Sequence, residues 1–576
     1  MSRRAWSAIG LLVVLLVILR LPTVDTGLHM DDLAQRAMVQ GDYPVPRAVW
    51  DLYTFSTGEP EEVRALTRAG ALPWWSDPQL RLSALRPLAS VLVWFDVVAL
   101  DARAAHVHSL LWWAAMLLAL GWALHPLLGT RWVWLTVALY GLDDAHAVPL
   151  TWLANRAALV SGVFGWLMLG VYVRGMASSR TRWPWLLALC AACMAAGEYG
   201  LSVVGYVAVL ALIVDPRPVR QRMRALAPML APVVLYLLLH RLGGFGAQYS
   251  GVYIDPAAEP GAFLTALFER APRLLLDMAT GAPLLVSEGW SLAGVWGAAA
   301  AVLGGLWALA GWLHDAPERR RILRWALLGA LVAVVPVCAS FLSERLTVLA
   351  SVGVHIVSAG VLLAVLERAR STRWVVAMVV GAAMLSGHGW VATKSSWAKT
   401  DTMRRFNAAG LTLAESMPVD DTAAADERWV LLAAGDPMML VYPPHLRAQG
   451  GHPRPEAWTV LCLAPGPLTM KRVSDYALEI TAEAWLQTPL EQFFRRVDRP
   501  LPARSGFEGM TVEVVGSSEG VAQTLRFTFA RPLQGPGLRV MSVGMRGVFR
   551  YPLAGVGATM PLAGGVDAIA ATSQGS

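Results

Sequence analysis

Residues 184–214 read PWLLALCAACMAAGEYGLSVVGYVAVLALIV, an apolar run whose single charge, Glu198, sits near its middle. The run exceeds the roughly 17 to 25 residues that one helix needs to cross hydrocarbon. Arginines flank it on both sides, at Arg174, Arg180 and Arg182 before it and from Arg217 to Arg224 after it. Cytoplasmic loops collect arginine and lysine, so one crossing would strand one cluster on the wrong side, whereas two crossings keep both inside. Gly197 and Gly200 bracket Glu198 and suit a tight hairpin. The reading is therefore two short helices, 184–197 and 200–214, with Glu198 at their outer turn.

The same logic extends along the chain. Of the 576 residues 56% are hydrophobic and 15% charged, and the mean hydropathy is +0.48, too apolar for a soluble globule and typical of a polytopic membrane protein. Arg3 and Arg4 precede the first apolar run, which places the N-terminus in the cytoplasm. That run lacks a small-residue cleavage site, so it is a membrane helix and not a removed signal. Further basic clusters, Arg319 to Arg324 and Arg368 to Arg373, are also expected inside. The expected spans are 5–22, 104–126, 131–149, 152–173, 184–197, 200–214, 226–242, 291–313, 322–342, 346–366 and 373–391, eleven helices that leave the remainder outside.

The fold class that follows is an α-helical polytopic membrane protein, residues 1–391, with a large first external loop over about 23–104 and a small β-rich or α/β extracytoplasmic domain over 392–576. Val-, Thr- and aromatic-rich segments such as WVLLAAGD, WTVLCLAPG, MTVEVVGSS, TLRFTFARPL and LRVMSVGMRGVFRYPL, separated by Gly, Pro and Ser, predict its strands. The terminal AGGVDAIAATSQGS, about the last 12 residues in particular, is expected to be disordered. Cys190, Cys193 and Cys338 lie in apolar runs and Cys462 stands alone, so no disulfide framework is indicated. The basic residues are nearly all arginine, which fits a GC-rich bacterial genome and hence a bacterial inner membrane.

This topology sends a set of polar groups to one side. Asp31 and Asp32 in MDDL, then Asp143, Asp144 and His146, then Glu198, Glu288, and Glu344 with Arg345 all fall at external helix ends or in external loops. Charges beside hydrocarbon are costly and usually face a bundle interior or an aqueous cavity. Trp74, Trp75 and Trp94 in the first loop suit the headgroup region. Arg81 and Arg86 are the arginines there best placed to meet an anionic headgroup or phosphate.

The blocks MDDLAQRA, LRPLASVLVWFDVVALDARAAHVHSLLWW, LYGLDDAHAVPLTWLANRAALVSGVFG, AAGEYGLSVVGYVAVLAL and FLSERLTVLASVG resemble, in the same order, blocks of the GT-C superfamily of polytopic glycosyltransferases. The likeness is to its transmembrane O-mannosyltransferase branch, which usually carries C-terminal tetratricopeptide repeats, and spans about residues 8–366. The resemblance places the paired acids on Asp31 and Asp32, the Arg-Pro-Leu element on Arg86, Pro87 and Leu88, a histidine on His106, the second histidine of a His-Pro-x-His block on His146 with its arginine on Arg156, and a late Glu-Arg pair on Glu344 and Arg345. This chain departs from the pattern at several points. Asp143 and Asp144 stand where the family has His-Pro, Val148 and Ala158 replace acids, Gly197 replaces the lysine of a Lys-Glu pair so that only Glu198 survives, and no tetratricopeptide period follows Val391.

What the resemblance implies is transfer of a sugar from a polyprenyl-phosphate donor, a lipid-linked substrate held at the bilayer, to an extracytoplasmic protein, lipid or glycan acceptor, with no nucleic-acid partner. A carboxylate from Asp31 or Asp32 would serve as general base for the acceptor hydroxyl, or the pair would bind a divalent metal ion through oxygen; the sequence leaves these open. Adjacent helical side chains diverge, so only one need face the site. The leaving phosphate calls for arginine, and Arg86, Arg156, Arg241, Arg273 and Arg345 lie near the outer face. His106, His108 and His146 do not share a helix face as zinc ligands would. The competing class, a lipid or solute transporter or flippase, should show related halves and midplane charges; no internal repeat is visible.

Overall fold

The computed structural model describes residues 3–178, 182–367, 372–417, 424–435, 437–463, 466–544 and 547–562. The terminal stretch expected to be disordered lies outside the described residues, as do Arg180, Arg368 and Arg370 of the clusters expected in the cytoplasm.

Among the described residues five helical stretches are long and apolar enough to cross a membrane: Arg3–Asp25, Ala102–Leu128, Leu153–Met176, Val219–Leu242 and Leu292–Leu313. They fall on five of the eleven expected spans. The others fall on shorter or interrupted helices. The apolar run 184–214 is broken as its arginines require, into Trp183–Ala196 and Gly200–Ile213. Gly197 at the break has φ +146, and a Cβ there would lie 3.2 Å from the Arg86 side chain, so the turn needs glycine both for its backbone and for this approach.

The expected span 131–149 is not one helix. Thr130–Leu142 stops at Asp143, whose side chain accepts the Ala145 N–H, and a 3-10 turn, Asp144–His146, leads into the short helix Ala147–Thr151. Nor do helices end at Val391. Thr372–Met384 passes through a π-helical turn, Leu385–Val391, into Ala392–Glu415, so a helix carries the chain directly into the C-terminal region. The π turn presents Gly387 to the Thr280 carbonyl so closely that a Cβ would fall 2.0 Å from that oxygen.

The C-terminal region combines two sheets. In one, Arg428–Ala433 pairs in parallel with both Leu538–Gly544 and Ala457–Cys462, and Gly547–Arg550 completes an edge. Every residue of Arg428–Ala433 is buried, as befits a central parallel strand. The helices Pro437–Val441 and Pro443–Gln449 lie between two of these strands in sequence. The other sheet is antiparallel, in the order Thr559–Leu562, Leu468–Arg472, Ala477–Thr481, Val521–Phe529, Met510–Ser518, Arg504–Phe507.

The first loop is tied to this region rather than spread on the bilayer. Trp74 and Trp75, expected at the headgroups, are buried: the Trp74 indole donates to the Leu461 carbonyl (3.1 Å) and meets Trp485, Phe507 and Phe527 edge-on. Arg495 donates to the Trp75 and Ser76 carbonyls (2.6 and 3.2 Å), and Arg454 to the Asp42 carbonyl (2.6 Å). The Trp74 indole thus gains both apolar contact and a satisfied N–H from this interface. Trp94 does face outward, with Val91, Phe95 and Val98, from the helix Pro87–Ala99.

Candidate functional site

The helix Asp31–Gln40 opens on the paired acids. The residue before it, Met30, has φ 40, a left-handed backbone that costs a residue with a side chain of order 1–3 kcal/mol and recurs at functional sites. The two carboxylates diverge. Asp32 is buried and saturated by backbone donors: its Oδ1 accepts the Ala154 N–H (2.7 Å), and its Oδ2 accepts those of His29 (3.1 Å) and Leu153 (3.4 Å). It thereby pins the helix to the 3-10 turn Leu153–Arg156. Asp31 is only half-buried, and its Oδ1 accepts the Tyr442 hydroxyl at 3.3 Å. Burial raises the Asp31 carboxyl to about 6, opposed by the Tyr442 hydroxyl and by the charges of Arg345 and Arg86. Burial raises Asp32 to about 7 despite its backbone donors.

A divalent ion held by this pair does not fit. Both oxygens of Asp32 are occupied by backbone N–H groups, and among the described residues no group of three or more His, Cys, Asp or Glu is arranged to hold a metal.

Arg86 and Arg345 flank Asp31 differently. Arg86 lies over Gly197 and forms a two-armed pair with Glu198, its Nε 3.0 Å from Oε2 and its Nη2 on Oε1, between the rings of Tyr53 (4.9 Å) and Tyr199 (5.4 Å). Burial pushes the Glu198 carboxyl up, but Arg86 outweighs it and holds the group below its ordinary value. The acid left without a neighbouring lysine in the sequence is thus paired by an arginine from the first loop. Arg345 is buried and makes no salt bridge among the described residues. Its guanidinium lies against the rings of Trp152 (5.3 Å) and Phe341 (5.1 Å), and it donates to the Tyr199 hydroxyl at 3.4 Å. Phe341 also lines a cleft of about 410 Å³ with Leu342, Arg270, Arg273, Glu269 and Val252. Arg270 and Arg273 are engaged there by backbone carbonyls of Cys338, Ser340 and Ser287.

The remaining sequence candidates divide. Asp144 accepts from Ser395 (2.5 Å) and Lys399 (2.7 Å), Lys399 is also 3.6 Å from Glu344, and Glu344 accepts the Leu284 N–H (3.3 Å). Asp143 is 3.5 Å from His355 Nε2, and His146 packs edge-on against Tyr140 with ring centroids 4.6 Å apart. These groups form a second cluster, so Glu344 and Arg345, adjacent in sequence, serve different clusters. His106 meets the Gly27 and Leu150 carbonyls (2.8 and 3.0 Å). Arg156 is held by Asp96 (2.5 Å), Ser109 (2.8 Å), His108 (3.1 Å) and the Ala105 carbonyl (3.1 Å). Arg241 and Glu288 are exposed and belong to neither cluster.

Sequence reading overlooked Tyr53, Tyr199, Lys399 and Tyr442. Lys399 carried a signal, since lysine is rare in this chain. Tyr442 carried none, because 411 residues separate it from Asp31.

No protein-family model matches the chain, and no curated protein matches it. Solved structures similar to it include ArnT from Cupriavidus metallidurans bound to undecaprenyl phosphate (13% identity, TM-score 0.40, 79% of this chain and 86% of that one). Another is an Archaeoglobus fulgidus oligosaccharyltransferase tethered to an acceptor peptide (11% identity, TM-score 0.40, 78% of this chain and 64% of that one). A third is the mycobacterial arabinofuranosyltransferase AftD (13% identity, TM-score 0.37, 92% of this chain and 42% of that one). All three are GT-C glycosyltransferases. The chain spans less than two thirds of the second and third.

Proposed function

We propose that this chain is a membrane glycosyltransferase that moves a sugar from a polyprenyl-phosphate donor to an extracytoplasmic acceptor, in a bacterial inner membrane with its N-terminus in the cytoplasm and its C-terminal domain outside. One observation carries the reading: a half-buried carboxylate, Asp31, lies within the electrostatic reach of a buried arginine, Arg345, that has no carboxylate partner among the described residues and is walled by aromatic rings. A desolvated guanidinium held this way is suited to a phosphate oxygen.

In the proposed step Asp31 accepts the proton of the acceptor hydroxyl as its oxygen bonds to the anomeric carbon. The bond from that carbon to the donor phosphate oxygen breaks, and the phosphate departs with the electron pair toward Arg345. A base with a value near 6 is ionised at neutral pH yet basic enough to take the proton. Arg86, neutralised by Glu198, and Asp32, saturated by backbone, act as positioning residues; His106 and Arg156 brace the helix ends behind them.

The test is transfer from a polyprenyl-phosphate sugar by the purified protein in proteoliposomes, with mass spectrometry of glycans and glycoproteins from cells with and without the gene. Loss of a specific glycan on deletion supports the proposal. An unchanged glycan profile, with a labelled lipid or solute that no longer crosses the membrane, replaces it with the transporter reading.

A further inference from the structure

We propose that Tyr442, in the C-terminal domain, is a positioning residue for Asp31, so that the site is completed by a domain that itself carries no reacting group. The proposal rests on the assignment of Asp31 as the base.

The geometry is built from several contacts. Tyr442 sits between the helices Pro437–Val441 and Pro443–Gln449, and its hydroxyl donates to Asp31 Oδ1 at 3.3 Å. Its ring joins an apolar cluster with Leu28, Leu33, Met438 and Leu446, which fixes where the hydroxyl points. The domain is held against the first loop elsewhere by Trp74 on the Leu461 carbonyl, Arg495 on the Trp75 carbonyl and Arg454 on Asp42. The contact is therefore made by two elements clamped together, not by a free loop. The other groups facing Asp31 are Arg345 and Arg86, with Tyr43 and Tyr253 farther round and Asp32 on its own helix. Of these, Tyr442 donates directly to the carboxylate. A hydroxyl donor to one oxygen aims the other at a substrate and favours the ionised form.

The experiment uses the full-length protein in detergent or proteoliposomes, as wild type, Tyr442→Phe and Tyr442→Ala. Two readouts are taken against pH: sugar transfer, and labelling of Asp31 by a water-soluble carbodiimide, which attacks the protonated carboxyl and is read by peptide mass spectrometry. Tyr442→Phe keeps the ring in its apolar cluster and removes only the hydroxyl. The expected result is a labelling midpoint about one pH unit higher than wild type, as loss of a hydrogen bond to a charged group implies, with the acid limb of kcat moving by the same amount and KM for the donor little changed. A Phe variant with wild-type midpoint and pH profile overturns the proposal, and loss of function confined to the Ala variant would then assign Tyr442 to packing alone. The labelling midpoint needs no turnover. If wild type shows no transfer while the Phe variant still shifts the midpoint, the glycosyltransferase reading fails and the Tyr442–Asp31 coupling stands.

Discussion

Replacing the two adjacent aspartates separately by asparagine separates chemistry from structure. Asp31→Asn preserves shape and an oxygen for the Tyr442 hydroxyl but removes the proton acceptor, so transfer should fall by roughly 10²- to 10⁴-fold. Its stability should not suffer. The Asp31 carboxyl is raised in the fold from 3.8 to about 6. A raised acid contributes stability below its unfolded value, and that contribution is lost as pH rises through the folded value. At pH 8 the folded chain thus carries a carboxylate that its surroundings disfavour, and an amide relieves this. Burial raises Asp32 as well, to about 7, so losing its charge also brings some relief, but in Asp32→Asn the surrounding donors set the outcome. Its two oxygens accept three backbone N–H groups, and an amide presents an N–H to at least one of these donors. A buried donor left unmade costs about 1–3 kcal/mol. The variant should melt lower while folded molecules still transfer sugar. The assay is initial rate per folded molecule in proteoliposomes, beside fluorescence-detected melting at pH 8. Near-normal transfer by Asp31→Asn would refute the assignment of the base. Abolished transfer by a normally melting Asp32→Asn would refute the division of roles.

The wild-type rate should lose about a factor of ten per pH unit below about 6, where Asp31 takes up its proton, and a flat profile down to pH 4.5 would be incompatible with this base. Arg345→Lys keeps the charge but loses the flat face against Trp152 and Phe341, so the donor KM should rise about tenfold, and Arg345→Gln should do worse; unchanged donor saturation in both would remove Arg345 from phosphate binding. Arg156→Met leaves the buried Asp96 with His108 but without its guanidinium partner and should destabilise the protein by about 1–3 kcal/mol, read as a loss of monodisperse protein on heating in detergent. The four native cysteines are buried, so single cysteines at the exposed Ser517 and Gln221 report on sidedness. An impermeant thiol reagent should label the first from outside the cell and not the second, and external labelling at Gln221 would invert the topology.

The sequence by itself determined what depends on local composition and spacing. Apolar length and the arginine clusters give five of the expected spans and the break at Gly197–Tyr199, because hydrocarbon thickness and the cost of a displaced charge act on each segment separately. Alternation and turn residues gave the strands Met510–Ser518 and Val521–Phe529 for the same reason. The tertiary structure decided everything that needs partners from distant segments. MDDL does not say which acid is saturated, because two of the three donors to Asp32 come from residues 153 and 154. The pairing of Glu198 by Arg86, the divergence of Glu344 from Arg345, and the burial of Trp74 against Leu461 likewise depend on chain segments brought together only by folding. A polar side chain near a membrane announces that it must be satisfied or used. Which of the two holds is settled by the groups within about 3.5 Å of it, and those are set by packing.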